Sequence, residues 1–147
     1  MGKVKLRIPA IDVVPHKGAM SLLRNVLAHD DQSTLCDVQI DKKTLFLDGR
    51  GVPSWVGLEY MAQAVAAHAG MTARRMNKAP EIGFWLGTRK AEFFTDVYRL
   101  GQTLHVVARH VWGEGHLFSF ECFITDASNG RQLAEAQINV FRPGTRP

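Results

Sequence analysis

Cysteine is scarce: Cys36 and Cys122 are the only two in 147 residues. Two such residues cannot make a disulfide framework, and their separation is not that of a metal site. They read as core side chains of a reduced, cytoplasmic protein. Long apolar runs are missing too, since nothing approaches the roughly 18 uninterrupted apolar residues that a membrane span needs. The opening Met-Gly-Lys-Val-Lys-Leu-Arg-Ile-Pro has charge but no apolar centre before its first proline, so no signal peptide is expected. Basic residues are in excess, 18 Lys plus Arg against 14 Asp plus Glu for a formal net charge of +4. That excess favours an acidic partner, whether protein, nucleic acid or membrane surface, and the absence of a block of about five or six argues against a nucleic-acid arm. No repeat, low-complexity tract or linker interrupts the chain. A hydrophobic content of 46% with 22% charged residues is that of an ordinary globule. Residues 1–147 are expected to form a single domain.

One segment stands apart from the rest. Residues 55–76 are rich in Ala, Gly, Met, Leu and Val, and predict one helix opened by Pro53 and Ser54 and ended near Lys78, Ala79 and Pro80. Apolar or small residues occur nearly all round its first half (Val56, Gly57, Leu58, Met61, Ala62 and Ala64 to Ala67), the pattern of a buried helix. After it the chain alternates with period two. Residues 102–112 set Leu104, Val106, Ala108 and Trp112 against His105, Val107, Arg109 and Val111. Residues 117–125 set Phe118, Phe120, Cys122 and Ile124 against Ser119, Glu121 and Thr125. Residues 133–141 set Ala134, Ala136, Ile138 and Val140 against Glu135, Gln137 and Asn139. Gly113-Glu114-Gly115 and Ser128-Asn129-Gly130 mark the turns between these strands. Residues 83–94 supply another strand, 21–28 and 35–40 two weaker ones, and a short helix is expected at 10–14. The fold class is therefore α+β, an antiparallel sheet wrapped around one long central helix. Such a sheet leaves an open edge, and pairing two edges into a homodimer or larger homo-oligomer would cover it.

Three stretches, in order, resemble the hotdog-fold 3-hydroxyacyl-acyl carrier protein dehydratases. Val14-Pro15-His16-Lys17-Gly18-Ala19-Met20-Ser21-Leu22-Leu23-Arg24-Asn25-Val26 is similar to that family's Pro-His-Arg-x-Pro-Met-Leu-Leu-x-Asp-Arg-Val. Pro53 followed by Glu59-Tyr60-Met61-Ala62-Gln63-Ala64 resembles its helix motif. Residues 87–104, with Arg99-Leu100-Gly101-Gln102, are similar to its strand ending in Pro-Gly-Asp. The family's usual catalytic histidine, in a Gly-His-Phe-Pro segment shortly before the helix, has no counterpart in Thr44-Leu45-Phe46-Leu47-Asp48-Gly49-Arg50-Gly51-Val52. In this respect the chain resembles the branch associated with aryl-polyene biosynthesis. The resemblance implies a hotdog fold and removal of water from 3-hydroxyacyl groups, giving trans-2-enoyl thioesters. It implies as partner an acyl carrier protein whose phosphopantetheine bears the substrate, and no other cofactor or metal. A paralogous hotdog subunit is a further candidate partner.

Dehydration of such a thioester needs a base at C2, an acid for the departing hydroxyl and donors for the thioester oxygen. Glu59 fits the acid role: a buried apolar helix favours its neutral form, while the helix N-terminus favours its anion. A capping glutamate is the bland alternative. Gln63, one turn on, shares its face and is positioned to orient the carboxyl. Histidine is the natural base near neutrality. His29, beside Asp30 and Asp31, and His116, after Gly115, read as solvated. His105 and His110 fall on opposite strand faces and read as structural. His68 is a candidate lining residue more than two turns beyond Glu59. With the usual histidine missing, His16 is the remaining candidate base, against the alternative that it only orders its turn. Backbone N–H groups of Ser54, Trp55, Val56 and Gly57 are candidate donors to the thioester oxygen. Gly49-Arg50-Gly51 reads as a loop, without the surroundings of a phosphate fingerprint. Arg74, Arg75 and Lys78 suit either a carrier protein or a solvated helix end. Two other functions remain open: a thioesterase using Glu59 alone to activate water, and a non-catalytic hotdog subunit serving an active partner.

Overall fold

The computed structural model describes residues 4–16, 18–79 and 83–143. Lys17 of the Pro-His segment and Pro80 at the expected helix end lie outside them. In chain order the strands are β1 (Val4–Pro9), β2 (Asn25–His29), β3 (Ser33–Gln39), β4 (Val52–Pro53), β5 (Phe84–Phe93), β6 (Val97–Tyr98), β7 (Thr103–Glu114), β8 (Leu117–Asp126) and β9 (Gln132–Phe141). The helix α1 (Gly57–Arg75) lies between β4 and β5, and single 3-10 turns occupy Ala10–Asp12, Gly18–Met20 and Ser54–Val56. Seven strands form one antiparallel sheet in the order β1-β2-β3-β7-β8-β9-β5, and β4 pairs with β6 in a small second ladder. The α+β expectation of a large sheet curled on one long helix is met. No helix among the described residues is long and apolar enough to cross a membrane.

The period-two reading places the core correctly along most of each strand. Leu104, Val106 and Ala108 on β7 are fully buried with Cys122 and Ile124 on β8 and Ala134 and Ile138 on β9. Both cysteines lie in this core, and burial pushes the Cys36 thiol up to about 12 and raises that of Cys122 as well.

Three expectations need correction, and one strand stands outside them. Trp112 does not share the face of Leu104: the β7–β8 register shifts between His110 and Trp112, and the indole is exposed. An extra residue in one strand reverses which face the following side chains take. His29 is not solvated. It ends β2 rather than lying in the turn, and its ring is buried against Thr34 and His68. β1 was not anticipated at all, although its alternation of Val4, Leu6 and Ile8 with Lys5 and Arg7 is a strand signal. Finally, α1 is not buried on every face. Tyr60, Met61, Ala64, Ala67 and His68 are buried, but Glu59, Ala62, Ala66 and Ala69 form a half-open stripe.

Two glycines let α1 sit this close to its neighbours. A Cβ at Gly57 would collide with the Tyr98 hydroxyl and Ile124, so the helix enters against β6 and β8. A Cβ at Gly70 would collide with the Val13 carbonyl, so the chain leaving the first 3-10 turn lies directly on the helix backbone. From that contact the chain runs back past Val14 and Pro15 to His16, antiparallel to α1.

Candidate functional site

His16 and Glu59 come together although they lie 43 positions apart in the chain. His16 Nε2 lies 3.5 Å from Glu59 Oε1, with each side chain about one-third exposed. The imidazole Nδ1 is buried and makes no hydrogen bond among the described residues. Exchange with anything in the cavity is thus left to Nε2.

Gln63 holds this pair in register. It is fully buried; its Nε2 donates to the Met20 carbonyl at 2.8 Å and to Glu59 Oε1 at 3.1 Å, and its Oε1 accepts from Leu22 N–H at 2.9 Å. One side chain on the helix therefore fixes both the carboxylate one turn before it and the loop that follows His16. Burying an amide with all these partners satisfied costs little, whereas losing them would strand several polar groups. Further along, Arg24 grips the buried Asp37 with its Nε at 3.1 Å and Nη2 at 2.5 Å, and the other carboxylate oxygen accepts from Asn25 N–H at 2.9 Å. That pairing anchors the far end of the loop to β3 and raises the Arg24 guanidinium above its ordinary value. The loop after His16 is thus tied at Met20, Leu22 and Arg24.

A cavity of about 440 Å³ opens beside the pair. Its floor is the half-open stripe of α1; Val13 to His16 form one wall, and Phe118, Phe120, Ile138 and Val140 the other, with Trp85 of β5 at the rim. His16 and Glu59 sit at one end, Asp12 and Arg142 add charge elsewhere in the lining, and most of the remaining surface is apolar, the usual make-up of a small-molecule site.

The other sequence candidates fall elsewhere. Ser54, Trp55, Val56 and Gly57 do not line the cavity. The Ser54 N–H donates to the Asp96 carbonyl, the Gly57 N–H is taken up by the Ser54 and Trp55 carbonyls, and the Ser54 carbonyl accepts from Tyr98 Oη. The expectation of free donors fails at those two positions because a 3-10 turn and the β4–β6 ladder consume them. Trp55 is exposed and packs on Phe46. His68 does not line the cavity either: it is buried behind the helix, with Nδ1 2.8 Å from Thr34 Oγ1. His105 and His110 remain on opposite sides of β7, His110 against Phe118 and Phe120. His116 is exposed, and its Nδ1 lies 3.0 Å from the Arg142 carbonyl. Arg75 pairs with Asp31, while Arg74 and Lys78 lie at the exposed helix end. No group of three or more His, Cys, Asp or Glu among the described residues could hold a metal ion.

Sequence reasoning missed Gly70 and the Arg24–Asp37 pair. A glycine amid a helical pattern was the available signal for the first. No local signal marks the second.

The sequence model of the ApeP-like family, described as ApeP dehydratase, matches residues 8–146. No curated protein sequence matches. Among solved structures, the chain is similar to the dehydratase heterocomplex ApeI:P from Xenorhabdus doucetiae, with a TM-score of 0.84, 23% identity, and coverage of 95% of this chain and 94% of that one. It is also similar to a hypothetical thioesterase from Streptococcus pneumoniae solved with coenzyme A, at TM-score 0.63, 13% identity and coverage of 81% and 84%. The PaaI protein of the Escherichia coli phenylacetic acid degradation operon follows at TM-score 0.64, 11% identity and coverage of 80% and 81%. At these identities the likeness establishes the hotdog fold.

Proposed function

The chain belongs to the ApeP-like dehydratase family, and from that premise we propose that it removes water from 3-hydroxyacyl groups held as thioesters on the phosphopantetheine of an acyl carrier protein. The observation that carries this reading is the meeting of His16 and Glu59 in a largely apolar cavity, with the buried Gln63 amide behind the carboxylate. The Val-Pro-x-Trp-Val-Gly-x-Glu-Tyr-Met-Ala-Gln stretch supports a place in polyene-type biosynthesis, with fatty-acid biosynthesis as the broader class.

In this reading His16 Nε2 takes the proton from C2 and Glu59 gives one to the departing C3 hydroxyl. The C2–H and C3–O bonds break, C2=C3 forms and water leaves. His16 then holds the proton that Glu59 lacks, and with the two groups 3.5 Å apart a small approach or one bridging water returns it and resets both. The Gln63 amide holds Glu59 Oε1 from behind and so fixes the angle at which the carboxyl meets the substrate. No other cofactor is required by this chemistry. The excess of basic residues, with Arg74 and Lys78 exposed, supports an acidic carrier as partner. The heterocomplex formed by the similar Xenorhabdus protein supports assembly with a second hotdog subunit, whether another copy or a paralogue.

Mass analysis of a carrier-bound 3-hydroxyacyl group incubated with the protein decides among the readings. Loss of one water is the expected result. Release of a free acid would make the protein a thioesterase, and an unchanged substrate would leave a subunit that needs an active partner.

A further inference from the structure

We propose that the alanine stripe of α1 is the floor of an acyl slot, and that Ala66 and Ala69 set how long a chain the protein accepts. This rests on the dehydratase reading for the position of the reacting carbons, at His16 and Glu59. A run of small residues alone would say only that a neighbour packs close. Here, among the described residues, Ala62, Ala66 and Ala69 stay partly open while Ala64 and Ala67 are fully buried, and the cavity stands over the open three.

The direction of the slot follows from contacts at its two ends. Gly57 abuts Ile124 and His68 packs on Phe120. Moving forward along α1 therefore means moving backward along β8, toward Phe118. Glu59, Ala62, Ala66 and Ala69 lie on one helix face, at steps of three, four and three residues, so the floor leads straight away from the carboxyl. The facing wall is Phe118, Phe120, Ile138 and Val140. Between Glu59 and Ala69 the floor offers only methyl groups and the facing wall is apolar, with Asp12 and Arg142 the remaining charged lining residues, so an amide-rich pantetheine arm would find no partner along the floor. A hydrocarbon tail matches that surface, and each methylene buried should tighten binding by up to about fourfold.

The lengths can be estimated. At 1.5 Å per helical residue, Ala66 lies ~10 Å and Ala69 ~15 Å beyond Glu59. An extended chain advances roughly 1.2 Å per bond, so these positions lie about nine and about twelve bonds beyond the reacting carbon. A leucine at either site would lean toward the helix N-terminus and block the slot slightly short of its own position. Leucine is also a good helix former and would face open space, so the fold should tolerate it.

The experiment compares kcat/KM for 3-hydroxyhexanoyl, 3-hydroxydodecanoyl and 3-hydroxyhexadecanoyl thioesters in the wild type, Ala66→Leu and Ala69→Leu. The expectation is that Ala66→Leu loses at least about tenfold on both longer substrates, Ala69→Leu loses this only on the longest, and hexanoyl turnover changes less than about threefold in both, tenfold being within the usual cost of overfilling a packed site. Uniform losses at all lengths, or none at any, would overturn the proposal. If Ala66→Leu does not fold, Ala66→Met tests the same position. If the wild type dehydrates none of the three, the dehydratase reading fails by itself. The slot is then tested through Trp85 at its rim, by fluorescence titration with saturated acyl-pantetheine thioesters of the same lengths. The same ordering of variants would uphold it, and affinity independent of length would overturn it.

Discussion

Glu59 and His16 carry the proposed chemistry as one unit, because each is placed to restore the other's proton. Glu59→Gln keeps the volume and the contact with Gln63 but cannot supply an acidic proton, so single-turnover dehydration should slow by at least ~10²-fold. His16→Ala should cost a similar factor. Since the two act together, the double variant should be little slower than the worse single one. Rapid-quench measurement on a carrier-bound 3-hydroxyacyl group isolates this step from product release. A normal rate in Glu59→Gln with only a shifted melting point would reduce Glu59 to a structural role and favour the non-catalytic subunit.

At the level of elements, α1 has two working faces. One floors the cavity; the other buries His68 against β2, β3 and β8. Thr34 Oγ1 stands 2.7 Å from His29 Nδ1 and 2.8 Å from His68 Nδ1, and the two rings lie 5.0 Å apart. A hydroxyl has one proton, so it donates to one ring and accepts from the other, an arrangement that suits two neutral imidazoles. Burial, with His29 and then His110 adding to it, lowers His68 to about 4, and burial chiefly lowers His29 too. The unfolded chain, with histidine near 6.5, binds these protons first as pH falls. Stability is therefore full above about pH 6.5 and declines toward pH 4, by on the order of 3 kcal/mol for His68. Urea unfolding at pH 7.5 and 4.5 should show His68→Gln losing less on acidification than the wild type. An equal loss in both would exclude His68 as the sensitive group.

At the scale of the whole molecule, the sheet ends in β1 on one side and β5 on the other. β5 is ten residues long, its neighbour among the described residues is β9 alone, and Trp85 on it lines the cavity. An open strand of this length invites pairing with another subunit. Light scattering on the isolated protein at micromolar concentration should give a dimer or larger species. A stable monomer that turns substrate over would contradict edge pairing. A monomer that turns over only after a second hotdog subunit is added would instead assign the edge to that partner.

The long helix and the strands at β5 and β7 to β9 were legible in the sequence because each depends on local periodicity, which the chain writes into itself. Glu59 and Gln63 were legible as a helical pair for the same reason, four residues being one turn. The Pro-His segment and the helix motif also marked His16 and Glu59 as candidates, by resemblance. What periodicity omits is where one extra residue falls and which elements meet. The shift at Trp112, the burial of His29 beneath Thr34 and His68, and the Val13 carbonyl seated on Gly70 each depend on contacts far apart in the chain. Those contacts also leave one stripe of an apparently all-buried helix open. The sequence by itself determined that a helix would sit inside a sheet and which residues could do chemistry. Only the tertiary structure decided that His16 reaches Glu59, that Ser54 and Gly57 spend their N–H groups within the fold, and that a largely apolar cavity opens beside the pair. Burial and hydrogen bonding are properties of the packed chain, whereas local periodicity is a property of the sequence.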